Sequence, residues 1–150
     1  MKAVIQRVSE ASVSISGRVT GKVENGFLIL LGVCEGDSEE DAEILAKKTA
    51  NLRIFEDDDG KMNYSLIDKN YGVLVISQFT LCADCKKGNR PSFIKAAKPD
   101  IAIPLYELYM EKLKENGVQS VEHGEFGADM KVSLINDGPV TIIYDTQEWK

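Results

Sequence analysis

The sequence predicts one mixed α/β domain spanning residues 1–150, with largely antiparallel β-sheets and two main helices. Three observations carry this reading. Short runs that alternate apolar and polar residues recur along the chain, joined by hairpin-length turns. Two stretches, after Ser38 and after Pro104, space apolar residues for one face of a helix. One run, Phe27 to Val33, is continuously apolar, as a strand buried on both faces is.

Residues 2–8 and 11–16 read as strands, with Val13 and Ile15 alternating against serines. Gly17-Arg18 reads as a turn, and Arg18 to Val23 alternates again. Asn25-Gly26 is a hairpin signal leading into the Phe27 run. Asp37 or Ser38 caps a helix with Glu39, Glu40 and Asp41 in its first turn and Ala42, Leu45, Ala46 and Thr49 on its apolar face. Leu52, Ile54 and Phe55 form a short strand. The acidic run Asp57-Asp58-Asp59-Gly60 has the wrong spacing for a calcium loop and reads as a hairpin turn. Tyr71 to Leu81 reads as a long strand, and residues 92–97 as a short helix stopped by Pro99. Pro104 suits the first turn of a second main helix lined by Leu105, Leu108, Tyr109 and Leu113 and ended by Asn116-Gly117. Val118 to Glu122, Met130 to Leu134 and Val140 to Tyr144 complete the strands.

Composition narrows the function. A hydrophobic content of 43% suffices for a core, yet no apolar run approaches the roughly 18 residues of a membrane span. The opening Met-Lys-Ala-Val-Ile-Gln-Arg lacks a signal h-region, so the expected location is cytoplasmic. The net charge of −6 argues against a general nucleic-acid coat. Charge is uneven, however: Lys86, Lys87, Arg90, Lys95 and Lys98 fall in a stretch without a single acid. That stretch is either a solvated face or a local phosphate contact. Of the three cysteines, Cys82 and Cys85 form Cys-x-x-Cys, but Cys34 and His123 do not supply a second pair. No metal and no cofactor are expected, and the cysteines are expected to be reduced cytosolic thiols.

Two polar segments stand out, Ser77-Gln78-Phe79-Thr80 and Asn136-Asp137-Gly138-Pro139-Val140-Thr141. Each follows an alternating apolar run, where a half-buried strand ordinarily turns back. Together they offer hydroxyls, an amide and a Gly-Pro step. Glycine permits close approach to the backbone, and X-Pro is the peptide bond that adopts cis at low cost. The alternatives are ordinary: a strand-end Ser or Thr satisfies local backbone groups, and Gly-Pro is commonly a turn. The single histidine, His123, sits in a loop-like Glu-His-Gly-Glu context. There is no Gly-x-Ser-x-Gly elbow, Walker loop or dinucleotide fingerprint. Spacing alone stops at an α/β domain.

The strings themselves go further. Ser77-Gln78-Phe79-Thr80-Leu81, Lys87-Gly88-Asn89-Arg90-Pro91-Ser92-Phe93, and Phe126-Gly127-Ala128-Asp129-Met130 leading to Asn136-Asp137-Gly138-Pro139-Val140-Thr141 resemble the D-aminoacyl-tRNA deacylase family. The opening Met1 to Val8 and the Gly26 to Val33 strand resemble it as well, so the likeness runs in order along the whole chain. The resemblance implies hydrolysis of the ester between a D-amino acid and the terminal adenosine of tRNA, with activity on glycine mischarged to alanine tRNA. It implies a homodimer in which Gly138-Pro139, cis and held by Arg7, enters the partner's site as a chiral filter. Ser77, Gln78, Phe79 and Thr80 are then the catalytic and pocket residues, and the partner is a tRNA acceptor end, gripped by Lys86, Lys87 and Arg90. Cys82 lies where an aromatic residue is common in the family, which leaves the shape of the wall there open.

These roles suit the residue types. A filter for chirality must exclude any L substituent, and main chain pressed against Cα does so without measuring side-chain size. An aminoacyl ester is already activated, and the ribose 2′-hydroxyl can move protons. Backbone N–H groups near Phe79 and Thr80 can then stabilise the oxyanion, each worth about 3 kcal/mol. Thr80 is either a nucleophile or a positioning group, and no base for the nucleophile is evident in the sequence. Two other readings stay open: an RNA-binding module without turnover, weakened by aromatics that are scattered singly, and a deacylase of altered chirality with a trans Gly-Pro step.

Overall fold

The computed structural model describes residues 1–150. Strand β1 (Lys2–Ile15) is a single long strand where the sequence suggests two. It turns at Ser16-Gly17, both with positive φ (51° and 80°), into β2 (Arg18–Val23). Positive φ at both central residues is what a tight hairpin with right-handed strand twist demands. The chain continues through β3 (Gly26–Gly32), α1 (Glu39–Ala50), β4 (Phe55–Glu56), β5 (Met62–Tyr64), the one-turn α2 (Leu66–Lys69), β6 (Gly72–Ser77), α3 (Pro99–Glu115), β7 (Val121–His123) and β8 (Lys131–Asp145).

The architecture is the expected mixed α/β with two main helices, α1 and α3. The main sheet has six strands in the order β2-β1-β3-β6-β7, with β8 along the other edge of β1. The pairings of β1 are antiparallel, whereas β3–β6 and β6–β7 are parallel. A separate β4–β5 hairpin is closed at Asp57 to Gly60. There the Asp57 carboxylate accepts the N–H groups of Asp59 and Lys61 at 2.9 and 3.0 Å, so the acidic run is a turn.

Four local expectations are corrected. Asn25-Gly26 is not a hairpin: β2 and β3 do not pair with each other but follow one another along the same side of β1 (Ala11↔Val23, Val8↔Gly26). Gly26 is needed because its backbone (φ +155°) runs against Gly72, where a Cβ would lie only 1.8 Å from the Gly72 carbonyl oxygen. The strand expected over 71–81 stops at Ser77. Residues 92–97 form no helix, and Pro99, expected to end one, is instead the first residue of α3. Pro104, expected in the first turn of this helix, instead lies inside α3, exposed, so the carbonyl it leaves unpaired can be solvated.

α1 begins at Ser38, whose N–H donates to the Asp41 carboxylate at 2.9 Å. Helices α1 and α3 bury Leu45, Ala46, Leu105, Tyr109 and Leu113 against Ala3, Ile5, Phe27, Ile29, Val73 and Val75 on one sheet face. Tyr109 donates to Thr49 Oγ1 at 2.9 Å, which donates on to the Leu45 carbonyl at 2.8 Å, so the hydroxyls buried between the helices are paired. On the opposite face, Leu28, Leu74 and Ile76 pack with Val8, Ala11, Val13 and Val23. The far half of β1 therefore folds over the sheet and covers its second face.

The cysteines also depart from expectation: Cys34 and Cys82 are joined as a disulfide, and Cys85 is free and exposed. Parallel pairing explains the meeting. Leu31 lies opposite Ser77, so the segments leaving β3 and β6 emerge side by side.

Candidate active site

Ser77 ends β6, and Gln78 turns the chain, its N–H donating to the Leu31 carbonyl at 2.8 Å. Phe79–Cys82 then form a short 3₁₀ turn. The first N–H groups of such a turn, here those of Phe79 and Thr80, have no acceptor within it. The Gln78 amide Nε2 donates to Thr80 Oγ1. Thr80 and Phe79 are exposed, Ser77 and Gln78 half-buried.

Ser77, Gln78 and Phe79 share a cavity of about 270 Å³ with Phe126, Gly127, Ala128, Asp129, Met130 and Val132. Phe126 leans on Tyr106 of α3 (ring centroids 6.3 Å apart), and the Tyr106 hydroxyl donates to the Val75 carbonyl at 2.9 Å. Burial pushes the Tyr106 pKa upward, so this donor keeps its proton. The Phe126 to Met130 wall had no assigned role in the sequence reading, because nothing in spacing ties it to a segment about fifty residues earlier.

Beside the turn, Asp84 and Ser92 form a two-way backbone bridge at 2.8 and 2.9 Å that closes the loop 85–91. The Lys86 backbone N–H and the Lys95 ammonium (3.1 Å) hold the Asp84 carboxyl below the usual carboxylate range. Lys95 is thereby neutralised, while Lys86, Lys87 and Arg90 are exposed on the loop without an ion pair. The loop also delivers Phe93 edge-on to Phe79, centroids 5.1 Å apart, with 38% and 51% of the residues exposed. The aromatics that are scattered in sequence thus include one exposed pair at the rim of the cavity.

The second polar segment lies elsewhere. β8 does not turn back at Asn136 but continues to Asp145, with a bulge opposite Arg7. Gly138 and Pro139 are exposed at its tip, joined by a cis bond, with Gly138 at φ +136°. Arg7 is 7% exposed; its Nε donates to the Asp137 carbonyl at 3.0 Å and Nη1 to the Ile54 carbonyl at 2.7 Å. Arg7 pairs with Phe27, whereas Ser77 pairs with Leu31, four residues further along β3. Four strand residues span roughly 13 Å. One chain therefore does not bring Gly138-Pro139 to its own Ser77–Phe79 cavity, which Thr80 borders without lining. Asn136, given no role in the sequence reading, accepts the Val140 N–H and donates to Thr141, each at 3.0 Å.

His123 ends β7 rather than lying in a loop. Its Nδ1 lies 2.6 Å from the Gly124 carbonyl, an acceptor, so that nitrogen carries the proton.

Comparison with known proteins agrees along the whole chain. The family model described as D-Tyr-tRNA(Tyr) deacylase matches residues 4–145. A D-aminoacyl-tRNA deacylase of Thermus aquaticus is 57% identical over 148 residues, covering 99% of this chain and 97% of that protein. One of Brevibacillus brevis is 53% identical over 146 residues, covering 97% and 100%. The solved structure of a c-Myc DNA unwinding element binding protein superposes with a TM-score of 0.91 at 40% identity, covering 97% of this chain and 98% of that one. A probable eukaryotic D-amino acid tRNA deacylase shares the fold, with a TM-score of 0.77 at 14% identity over 95% and 97% of the two chains. With a family model spanning nearly its full length and relatives more than half identical, the chain belongs to the D-Tyr-tRNA(Tyr) deacylase family.

Proposed function

We propose that this protein hydrolyses the ester joining a D-amino acid to the 3′ end of tRNA, releasing free amino acid and tRNA in the cytoplasm. The observation that carries the reading is the cavity formed by Ser77, Gln78 and Phe79 with Phe126 to Met130, which lies within the residues matched by the family model. The ester carbonyl binds at the start of the 3₁₀ turn, where the N–H groups of Phe79 and Thr80 receive the developing oxyanion. Water attacks, the ribose 2′-hydroxyl moves the proton, and Thr80, hydrogen-bonded to Gln78, positions the substrate. The exposed Phe79–Phe93 pair offers a face to the terminal base, and Lys86, Lys87 and Arg90 meet phosphates of the acceptor end.

Gly138-Pro139 is the chiral filter, and it acts in a partner subunit. Its exposure at the tip of a bulge, and its distance from the pocket of its own chain, support this arrangement. Main chain at this position meets whatever substituent an L residue presents and leaves room for hydrogen. Glycine has no substituent to exclude, so glycine mischarged on alanine tRNA is also a substrate.

The test is hydrolysis of matched D-Tyr-, L-Tyr- and Gly-tRNA. D-Tyr- and Gly-tRNA are cleaved and L-Tyr-tRNA is spared; equal cleavage of the D and L esters defeats the filter. Binding of tRNA without turnover would instead identify a binding module.

A further inference from the structure

Between Asn136 and Thr141, strand β8 carries four residues where β1, opposite, carries only Arg7 between Gln6 and Val8. A bulge of this size has lost its ladder bonds, and side chains replace them. The Asn136 carboxamide accepts the Val140 N–H at 3.0 Å through Oδ1 and donates to Thr141 Oγ1 at 3.0 Å through Nδ2. Thr141 Oγ1 also receives Gln6 Nε2 at 3.5 Å. On the other limb, Arg7 grips the Asp137 carbonyl at 3.0 Å. One amide thus ties the first residue of the loop to both residues that follow Pro139. The tip itself is exposed, and the space beside Gly138 is closed by Val140 and Arg7, where a Cβ would lie 2.7 Å from Val140 Cγ2.

We infer that Asn136 is a positioning residue for chiral discrimination: its carboxamide bridge closes the base of the loop and sets where the Gly138-Pro139 main chain stands against the substrate Cα. The inference rests on the filter reading above. Telling hydrogen from a carbon substituent requires the excluding atoms to be held within about half an ångström. Arg7 secures only the Asp137 side. Without the Asn136 bridge, the Pro139–Val140 limb is held only by the ladder pairing of Thr141 with Gln6 and by the packing of Val140, so the tip gains freedom and an L substituent gains room.

The experiment compares kcat/KM for D-Tyr-tRNA and L-Tyr-tRNA, with thermal melting of each variant. Asn136→Ala removes both bonds and is expected to lower the D/L ratio about tenfold or more, with gain on the L ester. Asn136→Asp keeps an acceptor for Val140 N–H and can accept the Thr141 hydroxyl proton, so its ratio is expected to stay within about threefold of the parent. Should Asn136→Ala fail to fold, Thr141→Val, which removes one of the two bonds, is expected to give an intermediate loss. A purely structural role would depress melting temperature and both esters alike; an unchanged ratio in Asn136→Ala, or equal losses in the Ala and Asp variants, overturns the inference. Gly138→Ala separates it from the reading beneath it. If Gly138→Ala lowers the ratio and Asn136→Ala does not, the filter stands and Asn136 is not its support; if neither changes the ratio, the filter itself has failed.

Discussion

Thr80 is exposed, its oxygen accepts a hydrogen bond from Gln78, and no imidazole or carboxylate lies within hydrogen-bond reach of its hydroxyl as a base. A nucleophile would need such a base. We therefore expect Thr80→Val to slow single-turnover hydrolysis of D-Tyr-tRNA by about 10- to 100-fold, the loss of a positioning contact; a fall of roughly 10⁴-fold or more would establish a covalent role. Arg7 is the other decisive residue. It satisfies the carbonyl of Ile54, itself 4% exposed, as well as that of Asp137. Arg7→Ala leaves a buried carbonyl unpaired, and urea denaturation should record a loss of about 2–4 kcal/mol. Individual residues of this kind were legible only through their strings. Nothing in the spacing of Ser77 or Gly138 separates a site from a strand end, because a hydroxyl or a Gly-Pro step is also ordinary turn chemistry.

At the scale of elements, periodicity revealed what a face buries, and it failed where a distant backbone decides. α1 was legible from Ser38 and its apolar positions, since both signals are local. Asn25-Gly26 misled because the glycine answers to Gly72 across the sheet rather than to a turn of its own. The loop closed by Asp84 and Ser92 was invisible for the same reason. The first turn of α1 carries a pH signature. Burial alone would raise the Asp41 carboxyl, but hydrogen bonds from Thr146, the Ser38 N–H, Lys150 and the Ser38 hydroxyl together hold it well below the usual range. A carboxyl depressed in the folded state contributes stability that is present above its unfolded value, near 3.9, and lost as pH falls below it. The melting temperature should decline on acidification from about pH 4, and Asp41→Asn should lower it at pH 7 while flattening that decline. The basic loop makes a separate prediction. Replacing Lys86, Lys87 and Arg90 together should weaken tRNA binding and flatten its dependence on salt by about two to three in log–log slope; an unchanged slope removes the loop from the phosphate contact.

At the scale of the whole molecule, the Cys34–Cys82 disulfide ties residues 48 apart. Counting cysteines could not reveal it, because the bond depends on the parallel meeting of β3 and β6. In the chain-entropy picture a loop of this length contributes about 4 kcal/mol. Dithiothreitol should lower the melting temperature by about 10 °C, and the double variant Cys34→Ser with Cys82→Ser should melt low with or without it. The outer strand β8 leaves Ile135 and Ile143 exposed, Ile143 at 72%. If subunits complete each other's pockets, sedimentation should show a dimer, and Ile143→Lys should weaken it and lower activity with it.

β1 and β8 pair along nearly their whole length, from Lys2↔Asp145 to Ser14↔Lys131. The central strand is therefore translated long before its outer neighbour. At ordinary elongation speeds, roughly ten seconds separate the two. During that interval one edge of β1 stays open to chaperones or to stray strands, and the sheet cannot close cooperatively. The Gly138-Pro139 step arrives on the strand that ends the wait, so under the proposed filter role the sheet cannot close before the chain carries its means of discrimination.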